Sequence, residues 1–278
     1  MNHTENSRKM PWWQWILFFI LGIIVFLFVY GAAQTANQVH ALLPGCLLRI
    51  IAAVFTLLLY YWSVRWIERR KIDELDRRHM LPDTGRGLII GFAFFVIVVG
   101  LMYLFGLYRV DSVEFDAWGL LAAFLSYLVV AVGEEVLFRG IIFRMIDQQW
   151  GTVAALIASS LVFGFAHMME PSATVWSSAA IAIEAGLLLG AAYKFSGNLW
   201  MPIGIHWAWN FTQGDIFGIA VSGHDSGAAI LTPVLQGPDI LTGGGFGAEA
   251  SIISVVLGAA LSVFMLVIYY RRKKTVNE

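Results

Sequence analysis

Apolar runs of about twenty residues recur along this chain, near 12–30, 42–64, 87–108, 117–143, 152–169, 173–194, 199–221 and 250–270. A helix of that length spans the ~30 Å hydrocarbon layer, since each residue rises about 1.5 Å and the helix satisfies its own backbone polar groups. No ten-residue alternation is present, which argues against a closed β-barrel. Composition agrees: 59% of residues are hydrophobic and only 13% charged, against about a quarter charged in soluble domains. The expected fold is therefore all-α, a polytopic membrane protein of about eight spans. The seventh run is the least regular, because Pro202, Gly204, His206 and Asn210 interrupt it.

Loop charge gives an orientation. Lys and Arg collect on cytoplasmic connections. Arg8 and Lys9 precede the first run, and 31–41 has neither residue type. Connection 65–86 carries Arg65, Arg69, Arg70, Lys71, Arg77, Arg78 and Arg86. Connection 109–116 is mainly acidic, Arg144 and Lys194 fall on the next two inward turns, and RRKK (271–274) closes the chain. Eight spans with both termini cytoplasmic fit every connection, whereas seven would put RRKK outside. The resulting plan is a tail (1–11), three spans (12–116) with the basic loop 65–86, a core (117–221), a Gly-rich and flexible external loop (222–249), and a last span with its basic tail (250–278). The first run is too long, and lacks the small-residue cleavage site, for a removed signal peptide. Trp12, Trp13 and Trp15 are expected as interfacial anchors. A single Cys46 excludes an internal disulfide and a CxxC site. The basic clusters are read as topological, with no nucleic-acid partner, and no inverted repeat of the transporter kind is visible.

Ionisable residues at membrane depth are costly and mark functional candidates. Here they are Glu134, Glu135, Arg139, His167, Glu184 and His206, with Asn210, Gln213 and Asp215 nearby. Glu135 and Arg139 are i and i+4 and can pair, whereas Glu134 lies about 100° around the helix without that partner. An unpaired, desolvated carboxylate has a raised proton affinity, as a general base requires. A structural ion cluster at a helix contact is the alternative. The turn IDQQWG places Glu134 and His167 at depths differing by about 5 Å in an antiparallel hairpin. His206 and Asn210 share a face and could hold an oxyanion, or the Asn could be interhelical glue. His206, His167 and a glutamate could instead bind Zn²⁺. His206 counts out shallower than Glu134, so a break at Pro202 or a tilt must close the gap. Gly186 and Gly190 permit close helix approach. Glu184 is expected in a hydrogen-bonded structural role.

The series E-E-x-x-x-R (Glu134, Glu135, Arg139), F-x-x-x-H (Phe163, His167) and H-x-x-x-N (His206, Asn210) resembles the CPBP family over about residues 117–215. These are intramembrane proteases of the CAAX-prenyl-protease and bacteriocin-processing type, also called Abi. The resemblance implies an eight-helix endopeptidase with a cavity open to the cytoplasm. It also implies that Glu134 and His167 activate water, that His206 and Asn210 face the oxyanion, and that Arg139 supports the glutamates. Metallo- and metal-free mechanisms both stay open. Any metal site would have to use His167 and His206, with Glu134 as a further ligand, since His3, His40, His79 and His224 fall in the tail or loops. No HExxH occurs. The expected partner is a peptide or lipidated protein at the cell membrane. A non-catalytic scaffold or bacteriocin-immunity protein, and less so a small-solute transporter, are the alternative functions.

Overall fold

The computed structural model describes residues 10–38 and 41–277; the N-terminal tail with His3, Arg8 and Lys9, and also His40, lie outside them. Each apolar run becomes a helix. These are α1 (Trp12–Gln38), α2 (Leu42–Ile67), α3 (Arg77–Leu104), α4 (Ala117–Trp150), α5 (Thr152–Met169), α6 (Val175–Ser196), α7 (Trp200–Phe211, continued by Thr212–Ile216) and α8 (Ile252–Asn277). Seven of them are long and apolar enough to cross a membrane, which makes this a multi-pass helical membrane protein.

The exception is α7, with twelve α-helical residues and a five-residue π turn. At about 1.5 Å per residue it stops short of a full crossing. Ten of the twelve are buried, so α7 is an interior helix that lipid does not touch. This explains how it tolerates polar residues. Pro202 does not break it, because the third helical residue has no intrahelical N–H bond to lose.

Glycines let α7 sit against α3. A methyl on Gly87, Gly91 or Gly204 would collide with Met201 O, Ile205 O or Thr84 O respectively, all backbone atoms of the facing helix. Phe94 and Phe95 of α3 then close on Trp209 at centroid distances of 4.6 and 4.8 Å. Gly186 and Gly190 act likewise between α5 and α6: a Cβ at Gly186 would stand 2.9 Å from Ser160 Cα, and one at Gly190 3.1 Å from Leu156 Cδ2. Two apolar clusters result, one through α3, α6, α7 and α8, the other through α1, α2, α4 and the start of α5.

Three stretches depart from the sequence reading. The basic connection 65–86 is helical from Arg77, where Asp76 caps α3 by accepting the Arg78 N–H at 3.0 Å. Connection 109–116 supplies β1 (Tyr108–Val113), which pairs antiparallel with β2 (Leu231–Leu235), with a register shift between Val110 and Ser112. The segment 222–249 is accordingly built and packed rather than an open loop. Phe246, Ala248 and Glu249 are buried, and glycines at positive φ such as Gly243 and Gly247 reverse the chain tightly.

Arg144 is a buried structural cation, donating from Nη2 to Glu68 Oε1 at 2.6 Å and from Nε to Gly140 O at 2.8 Å. The tryptophans of α1 divide: Trp12 and Trp13 are exposed, while Trp15 packs on Trp150 at 5.4 Å.

Candidate active site

The polar centre is organised by helices that depart from α-geometry. α4 is α-helical to Glu135, π-helical over Val136–Phe143, and α-helical again to Trp150. α6 is π-helical over Ala182–Gly186, and α7 turns π-helical just beyond Asn210, at Thr212. π segments widen the turn and displace backbone carbonyls from their usual partners. Arg139 uses this, since its Nη2 donates to Gly186 O at 3.0 Å and Ala185 O at 3.3 Å. On α4, Gly140 O accepts from Arg144 and lies 2.9 Å from Tyr60 Oη, whose other neighbour is Glu74 Oε1 at 2.7 Å. Glu74 stands outside the spans. Burial pushes its carboxyl up, but the Arg70 guanidinium bonded to it outweighs that and holds it below the ordinary value.

Glu135 is fully buried and receives two donors on one oxygen. Arg139 Nη1 lies 2.8 Å from its Oε1, and His206 Nδ1 lies 3.0 Å from the same atom. The carboxylate can only accept, so His206 carries its hydrogen on Nδ1, and its Nε2 turns away from Glu135. There it meets Glu134 Oε2 at 4.0 Å. That oxygen is buried and has no hydrogen-bond partner among the described residues, although the Glu134 side chain as a whole keeps 26% of its surface accessible. The separation is too long for a direct hydrogen bond and suits one bridging oxygen.

Phe163 joins the second motif to this centre. Its ring lies under the Arg139 guanidinium at 4.8 Å, against the His167 ring at 4.5 Å, and edge-on to His206 at 6.4 Å. His167 is buried, with Nδ1 at 2.8 Å from Phe163 O. A carbonyl only accepts, so this nitrogen bears the hydrogen and Nε2 keeps a lone pair. Glu134 and His167 form no ion pair or hydrogen bond with one another among the described residues. Asn210 is buried one turn beyond His206, and its amide has no side-chain hydrogen bond among the described residues.

The remaining polar residues of these helices do other things. Gln213 Nε2 donates to Ala220 O at 2.5 Å, and Asp215 Oδ1 accepts from Ala228 N at 3.2 Å, so both tie down the segment after α7. Glu184 is fully buried against Gly258 of α8, and neither of its oxygens has a hydrogen-bond partner among the described residues. The expected hydrogen-bonded role thus finds no partner for this carboxyl among the described residues. Glu249 went unnoticed in the sequence. It is buried, accepts the Ser222 N–H at 2.6 Å, and stands within electrostatic reach of His167. Only folding of 222–249 brings it there, so no spacing rule could have found it.

Any metal site would have to draw on the same side chains. His206 Nδ1 is bonded to Glu135 and His167 Nδ1 to Phe163 O, so Nε2 is the nitrogen each ring leaves open to a ligand. Among the described residues, no group of three or more His, Cys, Asp or Glu side chains is arranged to hold an ion. His167, His206 and Glu134 are not gathered into such a group in this arrangement.

Fold and centre together define a helical membrane protein with an acid, imidazole and guanidinium cluster buried among its spans. Residues 116–212 match the family model for Rce1-like proteins, the type II CAAX prenyl endopeptidases. The match runs from the residue before α4 to Thr212 of α7 and includes all three motifs. At the level of the family it supports a protease working in the membrane. No curated protein and no solved structure matches the chain.

Proposed function

We propose that this protein is an intramembrane endopeptidase of the CAAX-protease/Abi type, hydrolysing a peptide bond in a peptide or a lipidated, membrane-associated protein. The observation that carries this reading is Glu134 Oε2: buried, unpartnered, and 4.0 Å from an imidazole nitrogen. Hydrolysis needs a water held beside a base, and a carboxylate oxygen with nothing bound to it is such a base. Glu134 takes the proton of that water, and the Nε2 lone pair of His167 orients it. His206, its Nδ1–H held by Glu135, presents Nε2 to the developing oxyanion when the ring is doubly protonated. The amide of Asn210 supplies a second donor. Arg139 neutralises Glu135 and fixes its direction, much as a buried acid orients a catalytic imidazole elsewhere. In this reading the basic connections and both termini face the cytoplasm, and the enzyme resides in the cell membrane.

The test uses purified protein and its Glu134→Gln variant on quenched-fluorescence peptides, farnesylated ones included, with and without chelator. Cleavage by the wild type alone, unchanged by chelator, is expected. Equal cleavage by the variant would sink the assignment of the base. Loss on chelation, with recovery on adding Zn²⁺, would overturn the metal-free mechanism. A folded wild type that cleaves nothing would favour a non-catalytic scaffold.

A further inference from the structure

A second site lies at the opposite end of the ion network from the catalytic helix. Tyr61 and Arg65 are i and i+4 on the last turns of α2. The chain then reverses at Arg69, a non-glycine residue with φ +54°, and brings Arg70, Lys71 and the start of α3 with Asp76 and Arg78 across from them. Between these walls is a cavity of about 660 Å³, within the range of small-ligand sites. Four cations and one carboxylate line it.

The cations are held unequally. Arg70 is fixed by Glu68 at 2.7 Å and Glu74 at 2.5 Å, and Arg78 leans on Asp76 at 2.6 Å. Arg65 forms no ion pair or side-chain hydrogen bond among the described residues, and it is exposed. A free guanidinium beside a braced one gives a forked array of donors, which suits phosphate oxygens better than a lone ammonium would. Depth is set by the neighbouring surface: Trp62 and Trp66 of α2 are 48% and 71% exposed, as in the aromatic belt at headgroup level.

We propose that this cavity binds a phosphate-bearing anion at the membrane surface, through Arg65, Arg70, Lys71 and Arg78. The headgroup of an anionic phospholipid and a soluble phosphate ester offer the same chemistry, and basic pockets beside spanning helices are suited to either. The bound anion would sit against Arg70, which is linked through Glu74 and Tyr60, by three hydrogen bonds in all, to Gly140 O of the catalytic helix. The site itself does not depend on the proteolytic reading.

The experiment measures retention of phosphatidylglycerol by native mass spectrometry, with phosphatidylcholine of the same acyl chains as reference and inorganic phosphate as competitor. Wild-type protein is compared with Arg65→Gln, with Arg65→Gln/Arg78→Gln, and with Arg271→Gln/Lys273→Gln at the exposed end of α8. Arg65 has no partner to strand among the described residues, so its variant keeps the fold. The expected result is one saturable phosphatidylglycerol on the wild type, weakened about tenfold in Arg65→Gln and further in the double variant, but unchanged in the α8 variant. Displacement by inorganic phosphate alone would assign a soluble phosphate as ligand, and resistance to it would assign the lipid. Equal retention by wild type and both cavity variants would overturn the site.

Discussion

Two adjacent glutamates in one apolar run have been given opposite environments. Glu135 is fully buried and its Oε1 takes both Arg139 and His206, while Glu134 has neither donor within hydrogen-bond distance and keeps 26% of its side chain accessible. Their substitution should therefore have different signatures. Glu134→Gln should lower turnover by about a hundredfold or more with the melting temperature unchanged, read by peptide cleavage beside a thermal scan. Arg139→Ala should cost about 3–5 kcal/mol of stability by stranding a buried carboxylate, so activity and melting temperature fall together. Asn210→Ala removes an amide that holds nothing else, and should reduce turnover by roughly 10²–10³-fold while the fold persists. The pairing of Glu135 with Arg139 was legible from an i, i+4 spacing. The contact of His206 with both glutamates was not, because counting residues along straight helices placed it too shallow.

At the level of elements, the departures from straight α-helix are what sequence periodicity does not reveal. The π segments of α4 and α6 leave the apolar pattern intact yet turn Gly186 O and Ala185 O towards Arg139. The close seam between α3 and α7 was equally hidden, since Gly87, Gly91 and Gly204 look like scattered small residues until the two helices meet. Gly204→Ala should destabilise the protein by about 1–3 kcal/mol, as overpacking against backbone does. Gly100→Ala, with nothing near its added methyl, should be neutral. Denaturation of the two variants in detergent checks the difference. The strands escaped notice because Pro233 and an acidic connection read as loop, and each strand is short.

For the whole molecule, the spans and their order were written in hydropathy, and the segment 222–249 was not. One of its anchors is an exposed ion pair, Glu170 to His224 at 2.8 Å. The bond to Glu170 raises the His224 imidazole, and the same bond lowers the Glu170 carboxyl. The histidine contribution is complete below its ordinary 6.5 and fades as pH rises through the raised value. The carboxylate contribution is complete above its ordinary 4.5 and fades as pH falls through the lowered one. Limited proteolysis of this segment should thus be slowest between those values and faster on either side. His224→Gln should flatten the profile.

The shortness of α7 has a further consequence for how the protein is made. A segment that does not reach across the bilayer, and that carries His206 and Asn210, has little of its own to hold it in lipid. It gains a stable place only once the glycine face of α3 is waiting for it. The third motif therefore joins the first two late in biogenesis, and a chain still emerging from the ribosome holds Glu134 without the imidazole that faces it. On the proposed reading, cleavage therefore requires α7 to be seated against α3, where it sets His206 beside Glu134.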